Sequence, residues 1–226
     1  MKIEALTLPS RNIGRQHIFY GQTLGLPVEE VCEDRLTLRV GTTCLTFKHD
    51  PAFTGFAHFA LTVPENQMEA ARAWLAERVP LLADKTGETL FRSEDFDSHN
   101  VYFGDPDGNV GELIARHGLR NGSDAPFGPA SLLHISEIGL VVPRVPEQVR
   151  ALEKEHGLTA FNGGSDSFTA VGSPEGMFIT VPEGRGWFPV GWPAPCVPFE
   201  LTATTERGPL HYVHTCEPHR PQEAGV

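Results

Sequence analysis

The sequence predicts an α+β fold built from a repeated βαβββ unit. Three observations carry this expectation. One order of features recurs three times along the chain, and a matching proline–glycine turn recurs at two corresponding places. Gly (23) and Pro (19) are also frequent enough among 226 residues to favour many short strands joined by turns over a helical bundle.

Each unit opens with a short apolar strand that ends at or near proline: residues 5–9, 58–64 and 137–143. The three align without a gap through the fourth position, which is Leu8, Leu61 and Leu140. An amphipathic helix follows. In the second unit Met68, Ala71, Trp74, Leu75 and Val79 recur at helical spacing, and Pro80 stops the run. Ile13, Phe19, Tyr20 and Leu24 serve the first unit, and Val149, Leu152 and His156 the third. Gly25 and Gly157 stand at matching helix exits, where a left-handed cap suits glycine. Short strands complete each unit. Pro106 and Gly108 in the second match Pro174 and Gly176 in the third, each pair describing a tight hairpin. The first unit is shorter here, with residues 36–40, a turn at 41–43, and residues 44–48.

The units span roughly 1–50, 56–117 and 132–183. The expected organisation is a paired first and second unit over 1–118 and a Gly/Asn/Ser/Asp/Pro-rich linker over 119–131. The third unit with a C-terminal strand then fills 132–212, and an irregular tail covers 213–226. A proline-rich stretch, 187–198, precedes the strand candidate at 199–205.

Composition bounds the function. The chain is 40% hydrophobic, enough for one large or two small cores. A net charge of -11 repels phosphate backbones, so no nucleic-acid partner is expected. No stretch approaches the ~20 apolar residues of a membrane span, and the first residues carry no apolar signal core. Cys32, Cys44, Cys196 and Cys216 form no C-x-x-C pair and read mostly as buried reduced thiols in a cytoplasmic protein.

Two motifs carry a family resemblance. One is the strand that holds His58; the other is the run 102–113, with its D-P-x-G-N turn followed by Glu112. Together they resemble the vicinal-oxygen-chelate superfamily of glyoxalases, bleomycin-resistance proteins and extradiol dioxygenases, over about residues 1–190. The stretch 178–189 resembles a ring-cleavage-dioxygenase-like subgroup. The resemblance implies curled mixed sheets around a cleft, with the first and last strands of a unit adjacent. It places His58 and Glu112 at metal-ligand positions, suited to Fe2+, Zn2+, Mn2+ or Ni2+. Glu112 is also the catalytic candidate. A small substrate with two neighbouring oxygens would complete the coordination shell.

The other units depart from this pattern. Their ligand positions read Ala5 and Thr46 in the first and Glu137 and Thr180 in the third. Two protein ligands are few, so a third donor is expected. Glu137 is that donor if the third unit packs against the second. His99, Tyr102 and Phe59 are the substrate-contact candidates. Asp105 and Asp107 are expected to serve their turn, and Arg185 and Trp187 to brace the third unit. The run His211, His214, Cys216 and His219 is rich in donors but matches no closed zinc spacing. A metal-free binding protein is the alternative, its cleft lined by Phe56, Phe59, Phe91, Phe96, Tyr102 and Phe103. An odd number of units leads to the expectation of a homodimer through the third.

Overall fold

The computed structural model describes residues 1–216. The first unit comprises β1 (Lys2–Ser10), α1 (Ile13–Gln16, running on into a wider π-type helix His17–Thr23), β2 (Val28–Val31), β3 (Arg35–Val40) and β4 (Thr43–His49). The second comprises β5 (His58–Thr62), α2 (Met68–Ala76), β6 (Leu81–Leu82), β7 (Phe91–Ser93), β8 (Ser98–Gly104) and β9 (Val110–Arg116). The third comprises β10 (His134–Val142), α3 (Val145–His156), β11 (Thr169–Ser173) and β12 (Gly176–Pro182). A two-residue pair follows, β13 (Gly186–Trp187) and β14 (Trp192–Pro193), and then a hairpin, β15 (Phe199–Thr205) and β16 (Gly208–His214). The α+β class is that read from the sequence; the first unit keeps the βαβββ order, the second adds a short strand, and the third has two strands after its helix, with an isolated bridge, Ala160–Val171, in place of another.

The strands assemble differently from the expected pairing of units one and two. The second and third units share one sheet, ordered β11-β12-β10-β5-β9-β8-β6, with β7 also on β8. The first unit pairs with the C-terminal hairpin in a six-stranded sheet, β16-β15-β1-β4-β3-β2. The reason lies in the free edges. Each first strand has its own last strand on one side, in parallel, and needs a partner on the other. β5 takes β10 antiparallel and β1 takes β15 antiparallel. The hairpin therefore completes the first unit rather than the third, and strand continues to His214 where an irregular tail is expected. No unit is left unpaired, which removes the reason for expecting a homodimer through the third.

The main hydrophobic core lies between the sheets and follows period-two alternation. Leu6, Leu8, Leu45 and Phe47 point into it from the first sheet, and Phe59, Leu61, Leu113 and Phe178 from the second. The sheets are also stitched at one seam. The Thr42 amide donates to the Leu133 carbonyl at 2.9 Å, and the Ile135 amide donates to Thr43 Oγ1 at 3.0 Å. Gly41 makes this approach feasible, with φ +53° and no room for a Cβ against Leu133.

The turn between β8 and β9 is fixed by Asp105, whose Oδ1 accepts from the Asp107 and Asn109 amides, each at 2.9 Å. The cysteines depart from expectation. Cys196 and Cys216 are disulfide-linked, Cys32 is exposed and Cys44 half-buried, because β16 returns the end of the chain to the proline-rich stretch. Among the described residues, no helix is long and apolar enough to cross a membrane.

Candidate metal centre

Register places the donors on one face. β5 runs between β9 and β10, with Ala60 opposite both Glu112 and Glu137. Directly opposed residues share a face, and so do residues two apart along a strand. His58, Ala60, Glu112 and Glu137 therefore point the same way. A bulge at Ser136, where the β10–β5 register shifts between Ile135 and Glu137, aims Glu137 at this face and Ser136 toward the same cluster.

The three side chains converge. His58 Nε2 lies 3.5 Å from Glu112 Oε2 and 3.6 Å from Glu137 Oε2. His58 Nδ1 donates to the Val110 carbonyl at 3.0 Å, which leaves Nε2 with its lone pair toward the carboxylates when the ring is neutral. The other oxygen of each carboxylate is occupied. Asn100 Nδ2 donates to Glu112 Oε1, and Arg116 Nη2 donates to Glu137 Oε1. Asn100 is held by Ser98 Oγ at 2.9 Å, and Arg116 Nη1 donates to Ser136 Oγ at 3.0 Å. All three converging residues are at most 5% exposed.

This crowding of charge sets proton affinities. Burial, then the Glu137 carboxylate, pushes the Glu112 carboxyl up to about 7. Burial also works against charge on Glu137, but the Arg116 guanidinium and His58 outweigh it and hold that carboxyl below its ordinary value. For His58 burial is outweighed by the two carboxylates, which raise its pKa. Burial, then Glu112, keeps the Tyr102 hydroxyl protonated far above its ordinary range.

The donor set fits a divalent cation. One ligand atom from each of His58, Glu112 and Glu137 lies within 4.8 Å of the others. Around an ion with ligands at about 2.1 Å, neighbouring ligand atoms stand roughly 3.0–3.5 Å apart, close to the two distances observed. Asn100, Arg116 and the Val110 carbonyl supply the outer contacts that hold metal ligands in orientation.

The centre opens into a cavity of about 770 Å³. Phe91, Phe96, Tyr102, Phe168, Trp187 and Phe188 form much of its wall. Trp187 lies over His58 with ring centres 4.8 Å apart. Gly139 makes room for it, since a Cβ there would meet the indole at 2.8 Å.

The structure thus gathers His58, Glu112, Glu137 and Tyr102, and parts them from other candidates. Phe59 points to the opposite face of β5 and is fully buried in the core, one residue out of phase with His58. His99 is out of phase with Asn100 and Tyr102 in the same way, and pairs instead with His117 at 2.8 Å. Phe103 is core, and Phe56 packs on Trp192. The third-unit counterpart of Glu112 is Ile179, not Thr180, because Gly139 lies opposite Ile179 as Ala60 lies opposite Glu112. Arg185 and Trp187 line the cavity. His211 bonds Glu200 on the open face of the first sheet, and His219 lies outside the described residues. Asn100 and Arg116 were missed from sequence. Alternation carried the signal: Asn100 is two before Tyr102, and Arg116 is four after Glu112.

No family model matches the chain, and no curated protein matches it. Solved structures do. A candidate dioxygenase from Bacillus subtilis is 19% identical with a TM-score of 0.63, covering 92% of this chain and 72% of its own. Glyoxalase I from Zea mays is 15% identical with a TM-score of 0.52, covering 80% and 66%. These likenesses show a glyoxalase/dioxygenase-like fold.

Proposed function

We propose that this chain is a metal-dependent enzyme of the lyase or dioxygenase kind, acting on a small substrate with two neighbouring oxygens. His58 Nε2, Glu112 Oε2 and Glu137 Oε2 would hold a divalent cation of the Fe2+, Zn2+, Mn2+ or Ni2+ class. The observation that carries this reading is the division of labour in the carboxylates: one oxygen of each is pinned by Asn100 or Arg116, and the other faces His58. When bound, the cation would polarise the substrate's oxygens and stabilise an enolate or support attack by dioxygen.

The chain's own residues do the rest. Arg116 neutralises Glu137, so two buried carboxylates can stand side by side. Glu112 is the residue assigned to moving a substrate proton, because it stands at the cavity wall beside the tyrosine hydroxyl. Tyr102 keeps its proton and can donate a hydrogen bond. Trp187 lines the same cavity, while its Nε1 is buried with no hydrogen-bond partner among the described residues. The aromatic wall excludes water and packs a flat, apolar substrate body.

Elemental analysis of protein purified without chelator or metal-binding tag tests the reading. With the Cys196–Cys216 disulfide intact, near-stoichiometric metal is expected in wild type and is lost in His58→Ala. Equal, negligible metal in both proteins would sink it. Arg116 favours one competing reading, since it already neutralises Glu137 without any ion: a metal-free binding protein. That reading predicts ligand-induced thermal stabilisation that a chelator leaves unchanged.

A further inference from the structure

A second cluster of donors lies outside the cavity. Cys196 sits in the proline-rich stretch, His214 ends β16, and Cys216 lies two residues beyond it. Sequence separates Cys196 from Cys216 by 20 residues, yet their Cα atoms are 5.7 Å apart. One ligand atom from each of the three residues falls within 4.8 Å of the others, and all three are half-buried.

We propose that Cys196, His214 and Cys216 form a redox-gated site for a thiophilic divalent cation of the Zn2+ class. In the disulfide state the site is closed, because the sulfurs are bonded to each other. In the dithiol state two thiolates and an imidazole face one point.

Two observations support this. His214 Nε2 stands 3.4 Å from Cys196 Sγ. Around tetrahedral zinc, with Zn–S about 2.3 Å and Zn–N about 2.05 Å, sulfur and nitrogen ligands are roughly 3.6 Å apart. The imidazole is therefore already placed, and only the sulfurs need to separate. The ring also packs on Phe199, with ring centres 5.3 Å apart, which restricts its rotation.

The chemistry balances. A dithiol reductant delivers two electrons and two protons to the disulfide; the S–S bond breaks, two thiols form, and the reductant closes to its own disulfide. Zn2+ then forms two Zn–S bonds, and both thiol protons go to solvent. In reverse, oxidised glutathione takes two electrons from the thiolates and two protons from solvent. The Cys196–Cys216 bond forms, two molecules of glutathione leave, and Zn2+ is released.

Co2+ is the probe, because sulfur ligation gives an intense thiolate-to-cobalt charge-transfer band that His58, Glu112 and Glu137 cannot produce. Metal-stripped wild type, reduced and then freed of reductant, is expected to show this band once Co2+ exceeds two equivalents, enough to fill both centres. Zn2+ should quench it, and oxidised glutathione should abolish it. His58→Ala and the Cys32→Ser/Cys44→Ser double variant should keep it; Cys196→Ser/Cys216→Ser should lose it. His214→Ala should weaken Co2+ binding at least about tenfold. No band in reduced wild type would overturn the proposal. So would a band that persists in Cys196→Ser/Cys216→Ser, or unchanged affinity in His214→Ala. None of these outcomes depends on whether the His58 centre binds metal.

Discussion

The two sheets are built alike and end differently. In each, a first strand has its own unit's last strand on one side and an antiparallel strand from later in the chain on the other. Each antiparallel join carries a register shift. Residue by residue, Ala5 stands for His58, Thr46 for Glu112 and Glu200 for Glu137. The first sheet keeps a carboxylate but lacks both companions. Its Thr46 hydroxyl meets Thr37 at 3.3 Å, and its Glu200, 44% exposed, bonds His211 at 2.9 Å. The second sheet carries Trp187, Phe188 and Phe96 over the equivalent face. Strand geometry alone therefore does not make a centre. A roof that removes water makes the same carboxylate position electrostatically strong, and then demands partners such as Arg116 and Asn100.

The sharpest way to break this contrast is to remove a partner. Arg116→Leu leaves Glu137 buried without its counter-charge, and should cost about 3–5 kcal/mol of stability in urea denaturation. A loss below about 1 kcal/mol would mean that Glu137 is effectively solvated, like Glu200.

A second test concerns the strand that joins the sheets. Burial lowers the pKa of His134, at the start of β10, from 6.5 to about 4. The fold thus favours its neutral form. The stabilisation is complete above about pH 6.5 and is lost as pH falls toward 4, worth up to about 3 kcal/mol. His134→Gln should flatten the pH dependence of unfolding across that window. Parallel curves for the two proteins would place the acid sensitivity elsewhere.

Asn100→Ala addresses the ligand geometry. Freeing Glu112 Oε1 should weaken Mn2+ binding about 10–100-fold in a titration. Unaltered affinity would remove Glu112 from the ligand set.

The smallest effect belongs to the first sheet. Glu200→Gln breaks exposed pairs with His211 and Lys48, and should change stability by less than about 1 kcal/mol. A larger loss would show that the open sheet shares the electrostatic demands of the roofed one.

Much of this was legible in the chain. The α+β class, the helix positions and the matched turns follow from local periodicity and from proline and glycine placement, which act within a few residues. His58 and Glu112 were legible because each sits in its own motif, the strand at 58–64 and the D-P-x-G-N turn that precedes Glu112. Phe59 and His99 were misplaced because each is one residue out of phase with a true cavity residue, and a one-residue step on a strand reverses the face. Ile179 replaces Thr180 for the same reason.

The sequence by itself determined the repeated unit and its turns, since these depend on neighbours close in the chain, and its two motifs singled out His58 and Glu112. Only the tertiary structure decided which edge each first strand would use. That choice brought Glu137 to His58 and Arg116, sent the C-terminal hairpin to β1, and set Cys196 beside His214 and Cys216. Edge pairing joins residues tens of positions apart through backbone hydrogen bonds that any side chain can accompany, so local pattern carries no mark of it.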